Sequence, residues 1–216
     1  MNLAVNLEPD QIKAAIVLRR NFPEWRTNDR AIRQIRNTFR GFGDVATLVK
    51  VVVVNTIYGT RVFDYQGTTT HVKKVLSQAD IRSAGPELVE RLARVRRGRR
   101  FHSFASKFAH LFINAERFPI LDVYAERTIK FHLGRKNLVY SHRNRYVAFV
   151  ENFERLKSLA RLNCTVRQLD HYLWFSGLYR EWRRRNGKAR KRINKEVRNL
   201  FRNRVHKELL ARMAGT

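Results

Sequence analysis

Asp44-Val45-Ala46-Thr47-Leu48-Val49-Lys50-Val51-Val52-Val53-Val54-Asn55 is the stretch on which the fold turns. Its β-branched residues suit a strand, its length suits a buried helix, and periodicity alone does not separate the two. Three features select the helix: Asp44 is placed to serve as an N-cap, no second convincing strand lies nearby to pair with, and helical patterns flank the run on both sides. Upstream, Ile12, Ala15, Ile16 and Leu18 share a face between Glu8 and Arg20, with Asp10 as an available N-cap, and Pro23 breaks that helix. A second helix is expected from Thr27-Asn28-Asp29 to about Arg40, carrying Ile32, Ile35 and Phe39 on one side and closed by Gly41 and Gly43.

Downstream the same period recurs. Gly67-Thr68-Thr69-Thr70 leads into a short amphipathic element at His71 to Leu76, and Pro86 opens a helix with a Leu88, Leu92, Val95 stripe. Phe104, Phe108, Leu111 and Phe112 line a helix from Phe101 to Ile113; Pro119 interrupts, and Asp122 caps a helix from Val123 to Leu133 that stops at Gly134. Further helices are predicted over Arg143 to Leu159 and Thr165 to Leu178. A last one runs from about Lys188 to Met213, with Ile193, Val197, Leu200, Phe201, Val205 and Leu209 as its packing seam. The expected fold is all-α.

Charge narrows the function. Lys and Arg number 45 against 18 Asp and Glu, a formal net charge of +27 over 216 residues, yet 44% of the chain is hydrophobic and 14 Phe are present. That much core material excludes a disordered basic tail, and the length supports one domain with lobes rather than two independent domains. Self-repulsion of this size calls for a polyanionic partner, and nucleic acid is the commonest one in a reducing compartment. The single Cys164 excludes an internal disulfide, a four-cysteine zinc site and a cysteine-ligated iron-sulfur cluster. The N-terminus carries no secretory pattern and the valine run falls well short of the ~20 residues that span a bilayer, so a cytoplasmic location is expected, nucleoid-associated in a bacterium, with no membrane contact.

The basic residues gather in two places. Five arginines fall within Arg94 to Arg100, around Gly98, and thirteen Lys or Arg stand against Glu181 and Glu196 between Arg180 and Lys207. Either cluster is a solvated face or a phosphate clamp; within a chain this cationic, Arg96, Arg97, Arg99, Arg100 and Ser103, with Arg183, Arg184, Arg185, Lys188, Arg190, Lys191 and Arg192, are the expected contacts to a DNA backbone.

No set of histidines backed by carboxylates, no Walker-type loop and no Gly-x-Ser-x-Gly elbow appears, so no metal or cofactor is expected. The chemistry-bearing stretch is Ser103-Phe104-Ala105-Ser106-Lys107-Phe108-Ala109-His110, followed by Phe118-Pro119-Ile120-Leu121-Asp122-Val123-Tyr124. Over roughly Asp44 to Gly134 the chain resembles the helix-hairpin-helix DNA glycosylase superfamily, in particular its 8-oxoguanine glycosylase-type branch. There a small-residue turn leads into a helix with a nucleophilic lysine, and an apolar-Pro-apolar-Asp segment sets a catalytic aspartate at the start of the next helix. The resemblance implies Lys107 and Asp122 for these roles, 15 positions apart. It further implies a helical bundle of two lobes with the active site in the cleft between them: a core lobe over 44–134, and a second lobe of 1–43 plus 135–216 with the basic C-terminal helix. The family's Leu-Pro-Gly-Val-Gly type hairpin is replaced by Arg97-Gly98-Arg99-Arg100-Phe101-His102-Ser103, in which arginine side chains would supply the phosphate contact.

The residue types fit the reaction. Cleavage of an N-glycosidic bond builds oxocarbenium character on the sugar, which a fixed carboxylate stabilises or relieves by activating a nucleophile. A lysine attacking the anomeric carbon must lose its proton first, and burial beside Phe104 and Phe108 would lower its pKa. The flipped base needs apolar walls and a few hydrogen bonds; Asn55, Tyr58, His110, Asp170, Tyr172 and Trp174 are the candidates. The expected protein is a monomeric glycosylase on double-stranded DNA with associated abasic-site lyase activity, removing an oxidised purine or a bulky modified pyrimidine, in DNA repair or antiviral defence. The alternatives are a non-catalytic basic helical nucleic-acid-binding protein, in which Asp122 is only a cap and Lys107 a surface residue, and an RNA-binding or ribosome-associated factor.

Overall fold

A computed structural model of the chain describes residues 2–95, 99–185, 190 and 193–215. The fold is all-α. Among the described residues the α-helices are α1 (Pro9–Arg20), α2 (Pro23–Thr38), α3 (Asp44–Tyr58), α4 (Tyr65–Ser77), α5 (Glu87–Leu92), α6 (His102–Phe112), α7 (Val123–Leu133), α8 (Arg145–Leu159), α9 (Val166–Arg184), α10 (Lys195–Arg202) and α11 (Lys207–Ala214).

The valine run is helix α3. Gly43 precedes it in extended conformation and Gly59 ends it in the left-handed region at φ +56°, where a side chain would be strained. Val51 and Val54 are fully buried. Burying one such side chain gains about 1.5–3 kcal/mol, which outweighs the helix-propensity penalty of at most ~0.7 kcal/mol for an ordinary residue. Asp44 is the first residue of the helix rather than its cap, and its carboxylate pairs with Lys73 on α4.

Two helix starts differ from expectation because of proline at the first helical position. Pro23 begins α2 instead of merely ending α1, so Thr27-Asn28-Asp29 lies inside the helix. Pro9 begins α1, and Glu8, not Asp10, caps it through a capping box with Gln11. Asp64 accepts from the Gly67 N–H at 2.8 Å and starts α4 six residues earlier than the His71 pattern indicated. At the C-terminus the continuous helix expected to reach Met213 is broken within 193–215. Asn203 leaves helical conformation and accepts from the Val205 N–H at 3.0 Å, a 3-10 turn follows at Arg204–His206, and α11 restarts at Lys207. Val205 is 80% exposed and does not belong to the seam.

The chain forms two compact units. One comprises Met1–Arg26, Asp122–Leu138 and Asn152–Thr216; the other Thr27–Leu121 and Val139–Glu151.

In the first unit α1 packs against α9 and α11, and α7 against α9. The α7–α9 approach depends on Gly177: a Cβ there would stand 2.6 Å from the Tyr124 carbonyl oxygen and 2.7 Å from Thr128 Oγ1. Thr128 Oγ1 donates to the Leu173 carbonyl at 2.9 Å across the same interface. Beneath it, a polar chain is buried. His132 Nδ1 donates to the Val5 carbonyl at 2.9 Å, so its Nε2 accepts from the Tyr172 hydroxyl at 2.8 Å, and that hydroxyl accepts from Gln11 Nε2 at 3.4 Å.

In the second unit α3 packs on α4 and α6, and α5 on α4 and α6, around Val51, Val54, Val72, Val89, Leu92, Phe104 and Phe108. Buried Glu90 ties the entry to α6. It accepts from His102 Nε2 at 2.9 Å, Arg100 Nη1 at 3.3 Å and the Tyr146 N–H at 2.5 Å.

Candidate functional site

Lys107 lies in the second unit, mid-way along α6, and is only 6% exposed. An exposed lysine would stretch its stem along apolar surface and hold the ammonium in water; here the ammonium is inside, donating to Ser103 Oγ at 2.7 Å one turn earlier and lying 5.8 Å from the centre of the Tyr58 ring. Phe104 and Phe108, on either side of it in sequence, are fully buried.

The segment after α6 is pinned by side chains of the same unit. His110 Nδ1 donates to the Phe118 carbonyl at 3.0 Å, the Tyr146 hydroxyl to the Pro119 carbonyl at 2.8 Å, and Ser106 Oγ accepts from the Leu121 N–H at 3.1 Å. Leu121 is the last residue of that unit's long segment and Asp122 the first of the next segment of the other. Ser106 and Tyr146 hold the segment after α6, and Glu90 holds the entry to α6; none of the three was singled out from the sequence. A serine among alanines reads as spacing, and a glutamate between Leu88, Val89 and Leu92 reads as the wet side of an amphipathic helix; on so short a helix as α5 both sides are buried.

In the first unit Asp122 is the N-cap of α7. Its backbone is extended, at φ −143° and ψ 173°, and its Oδ1 accepts from the Tyr124 and Ala125 N–H groups, each at 2.9 Å. The helix N-terminus favours the ionised carboxylate there. A group of aromatic rings adjoins it within the unit: Tyr124 packs edge-on against Trp174 with centroids 6.1 Å apart, and Trp174 lies 4.6 Å from Trp25. None of these three is fully buried. Burial raises the Tyr124 hydroxyl above its ordinary pKa; Arg185 opposes this, Glu181 and Asp122 add to it, and Arg127 opposes it. Tyr124 and Trp25 were not singled out from the sequence. The signal available was Tyr124's place two residues after the capping aspartate.

The other base-pocket candidates serve varied ends. Asn55 organises the link from α3 to α4: its Oδ1 accepts from Thr60 Oγ1 and the Val62 N–H, both at 2.9 Å, and its Nδ2 donates to the Tyr65 hydroxyl at 2.9 Å. Tyr172 is fully buried in the His132 network, and Asp170, 5% exposed, sits on the same helix. Tyr58, His110 and Asn55 are thus in the second unit, and Asp170, Tyr172 and Trp174 in the first.

Of the expected backbone contacts, Arg96, Arg97, Lys188, Lys191 and Arg192 lie outside the described residues. Arg99 is exposed and stacks on the Phe101 ring at 4.8 Å. Arg100 binds Glu90 and donates to the Arg143 carbonyl at 2.5 Å, so it braces the unit as well as facing solvent. Arg183 and Arg184 are exposed. Arg185 pairs with Glu181 at 2.7 Å, and Arg190 donates to the Trp182 carbonyl at 3.1 Å while lying 4.7 Å from the centre of its ring.

Among the described residues no group of three or more His, Cys, Asp or Glu is arranged to hold a metal ion, and no helix is long and apolar enough to cross a membrane. A family model, HI_0787_N, described as an N-terminal domain, matches residues 11–117. The matched span runs from α1 through α6, includes Lys107 and ends before Asp122. No curated protein and no solved structure matches the chain.

Proposed function

We propose that the protein is a DNA glycosylase with abasic-site lyase activity, in which Lys107 is the nucleophile and Asp122 the essential carboxylate. The observation that carries this reading is the buried Lys107 ammonium on Ser103 Oγ, 5.8 Å from the centre of the Tyr58 ring, at the position where the resemblance sets a nucleophilic lysine; the other buried lysine, Lys50, is tied to the Gly41 carbonyl and the Phe42 ring and has a structural reason for its burial. Taking a charge out of water is costly, and such costs concentrate where a group does chemistry.

The steps follow from these residues. A base is flipped from the stack and held against aromatic surface, for which the adjoining Trp174 and Tyr124 rings of the first unit are suited. Asp122, held rigid by its two N–H bonds, stabilises the positive charge that develops on the deoxyribose as the glycosidic bond lengthens. Lys107, once deprotonated, attacks C1′ and the base departs, taking a proton. Transfer of a proton from the lysine nitrogen to the ring oxygen O4′ opens the sugar and leaves a Schiff base at C1′; loss of a C2′ proton then expels the 3′-phosphate, and water hydrolyses the remaining Schiff base to free the lysine. The fold class belongs with this reading, as a two-lobed helix-hairpin-helix arrangement, and the exposed Arg99, Arg183 and Arg184 suit contacts to the DNA backbone. The substrate is an oxidised purine or a bulky modified pyrimidine.

The test is incubation of the purified chain with duplexes each carrying one modified base, followed by alkali. Strand breaks at the modified position are expected for at least one duplex. Steeply salt-dependent binding with no alkali-labile product on any would instead mark a non-catalytic nucleic-acid-binding protein.

A further inference from the structure

Helix α4 presents His71, Lys74 and Val75, with the C-cap residue Gln78 continuing the same face at spacings of three and four, and α5 with the residues after it presents Arg91 and Arg94 three apart. Together these six residues line an open groove of about 250 Å³ wholly within the second unit. Among the described residues no carboxylate lines it. Lys73, the neighbour of Lys74 in sequence, pairs with Asp44, so that acid serves a different cation.

The groove is built rather than accidental. His71 Nε2 donates to the Arg91 carbonyl at 3.0 Å, tying α4 to α5 across its floor. The Arg91 guanidinium reaches back to the Val75 carbonyl and to Gln78 Oε1, each at 3.5 Å, which holds it along the last turn of α4. Those contacts offset part of the Arg91 charge, while the side chains of Lys74 and Arg94 are exposed at the rim. Converging cations repel one another, and an arrangement with no acid among them is relieved by an anion. Two guanidinium forks and an ammonium around a concave surface match the oxygens of a phosphate.

We infer that this groove is a phosphate-binding site, separate from the residues assigned above to catalysis and backbone contact. Arg94 also begins the arginine-rich run that ends at Arg100, which makes a phosphodiester of bound DNA the expected source; a free or terminal phosphate has the same chemistry. The inference takes its polyanion from the glycosylase reading but does not need base release to occur.

The test uses the full chain and the double variant Lys74→Gln, Arg94→Gln, in which both substituted side chains are exposed, with Arg135→Gln, Lys136→Gln as a control that removes equal charge elsewhere. Binding to an unmodified duplex is measured between 50 and 200 mM salt, the range over which phosphate contacts are resolved. The groove variant is expected to bind every sequence more weakly, with the slope of log affinity against log salt reduced by about one, beyond any change in the control. In a second arm, inorganic phosphate is titrated against thermal unfolding. Stabilisation of the wild type that is absent from the groove variant, with an unchanged DNA slope, assigns the site to a free phosphate group. If the groove variant equals the control in both arms, the inference is wrong. Alkali-labile product is scored in parallel on the modified duplexes. Its absence from the wild type alongside a changed slope removes the glycosylase reading and keeps the phosphate site.

Discussion

Lys107 and Ser103 stand one turn apart on α6, and the buried ammonium of the first donates to the hydroxyl of the second at 2.7 Å. A hydrogen bond to a charged group contributes about 1.5–3 kcal/mol, and removing one partner leaves the other short of it. Ser103→Ala should therefore lower the unfolding free energy by that order in denaturant titrations. Lys107→Met, which removes the charge and keeps the volume, should cost less, and adding Ser103→Ala to it should cost little more. Additive losses across this cycle would show that the two side chains are energetically independent.

Asp122 is a helix cap, and on the proposed reading also a catalytic carboxylate, and the two duties are separable. As an N-cap its replacement by Ala should cost roughly 1 kcal/mol, whereas Asn caps about as well as Asp and should leave stability within a few tenths. As a catalytic carboxylate it has no substitute in Asn, so Asp122→Asn should retain fold and DNA affinity while base release falls by at least a thousandfold, as when a group stabilising transition-state charge is lost. Normal turnover by Asp122→Asn would reduce the residue to a helix cap.

Gly177 permits the approach of α9 to the first turn of α7. An alanine Cβ would meet backbone at 2.6 Å, and backbone cannot swing away as a flexible side chain can. Gly177→Ala should lower stability by about 1–3 kcal/mol, read by chemical denaturation, and should disturb the ring packing of Tyr124 on Trp174 in near-ultraviolet circular dichroism. A variant as stable as the wild type would mean that the two helices separate without cost.

His132 gives the protein a pH-dependent stability. Burial, its largest influence, lowers its pKa from 6.5 to about 4; its backbone hydrogen bond to Val5 works the other way, and Arg180 adds to the depression. The unfolded chain therefore takes up a proton near pH 6.5 that the folded protein refuses until about pH 4. The stability is fully present above pH 6.5, falls as the pH drops towards 4, and levels off below that, a loss on the order of 3 kcal/mol. Unfolding free energies compared between wild type and His132→Gln should diverge over this window and run parallel outside it. Parallel curves throughout would place His132 in solvent.

The helices were legible in the sequence wherever apolar period and a cap coincided, as at Asp122 and Thr165, because both are local signals. Proline at the first helical position misled at Pro23 and Pro9, since the same residue that ends one helix begins another. The break at Asn203 was missed because the apolar spacing from Ile193 to Leu209 continues across it; a side chain capping the next turn carries no period. At the candidate site Lys107 and Asp122 were singled out from their neighbours in the chain, and the cap at Asp122 is there. The residues that hold the segments in place were not. Glu90 collects donors at His102 and at Tyr146, which lies 56 positions away, and no local pattern encodes such a meeting. The groove between α4 and α5 stayed hidden for the same reason: Lys74 and Arg94 become neighbours only when the helices pack.

The central claim, a lysine that joins covalently to deoxyribose, is tested most directly with borohydride on a duplex carrying a single abasic site, which removes any need to know the excised base. The wild-type chain should yield a reduced protein-DNA adduct of slower electrophoretic mobility, and Lys107→Ala should yield none while still binding the duplex. Absence of the adduct from the wild type, or its undiminished formation by Lys107→Ala, would contradict the account.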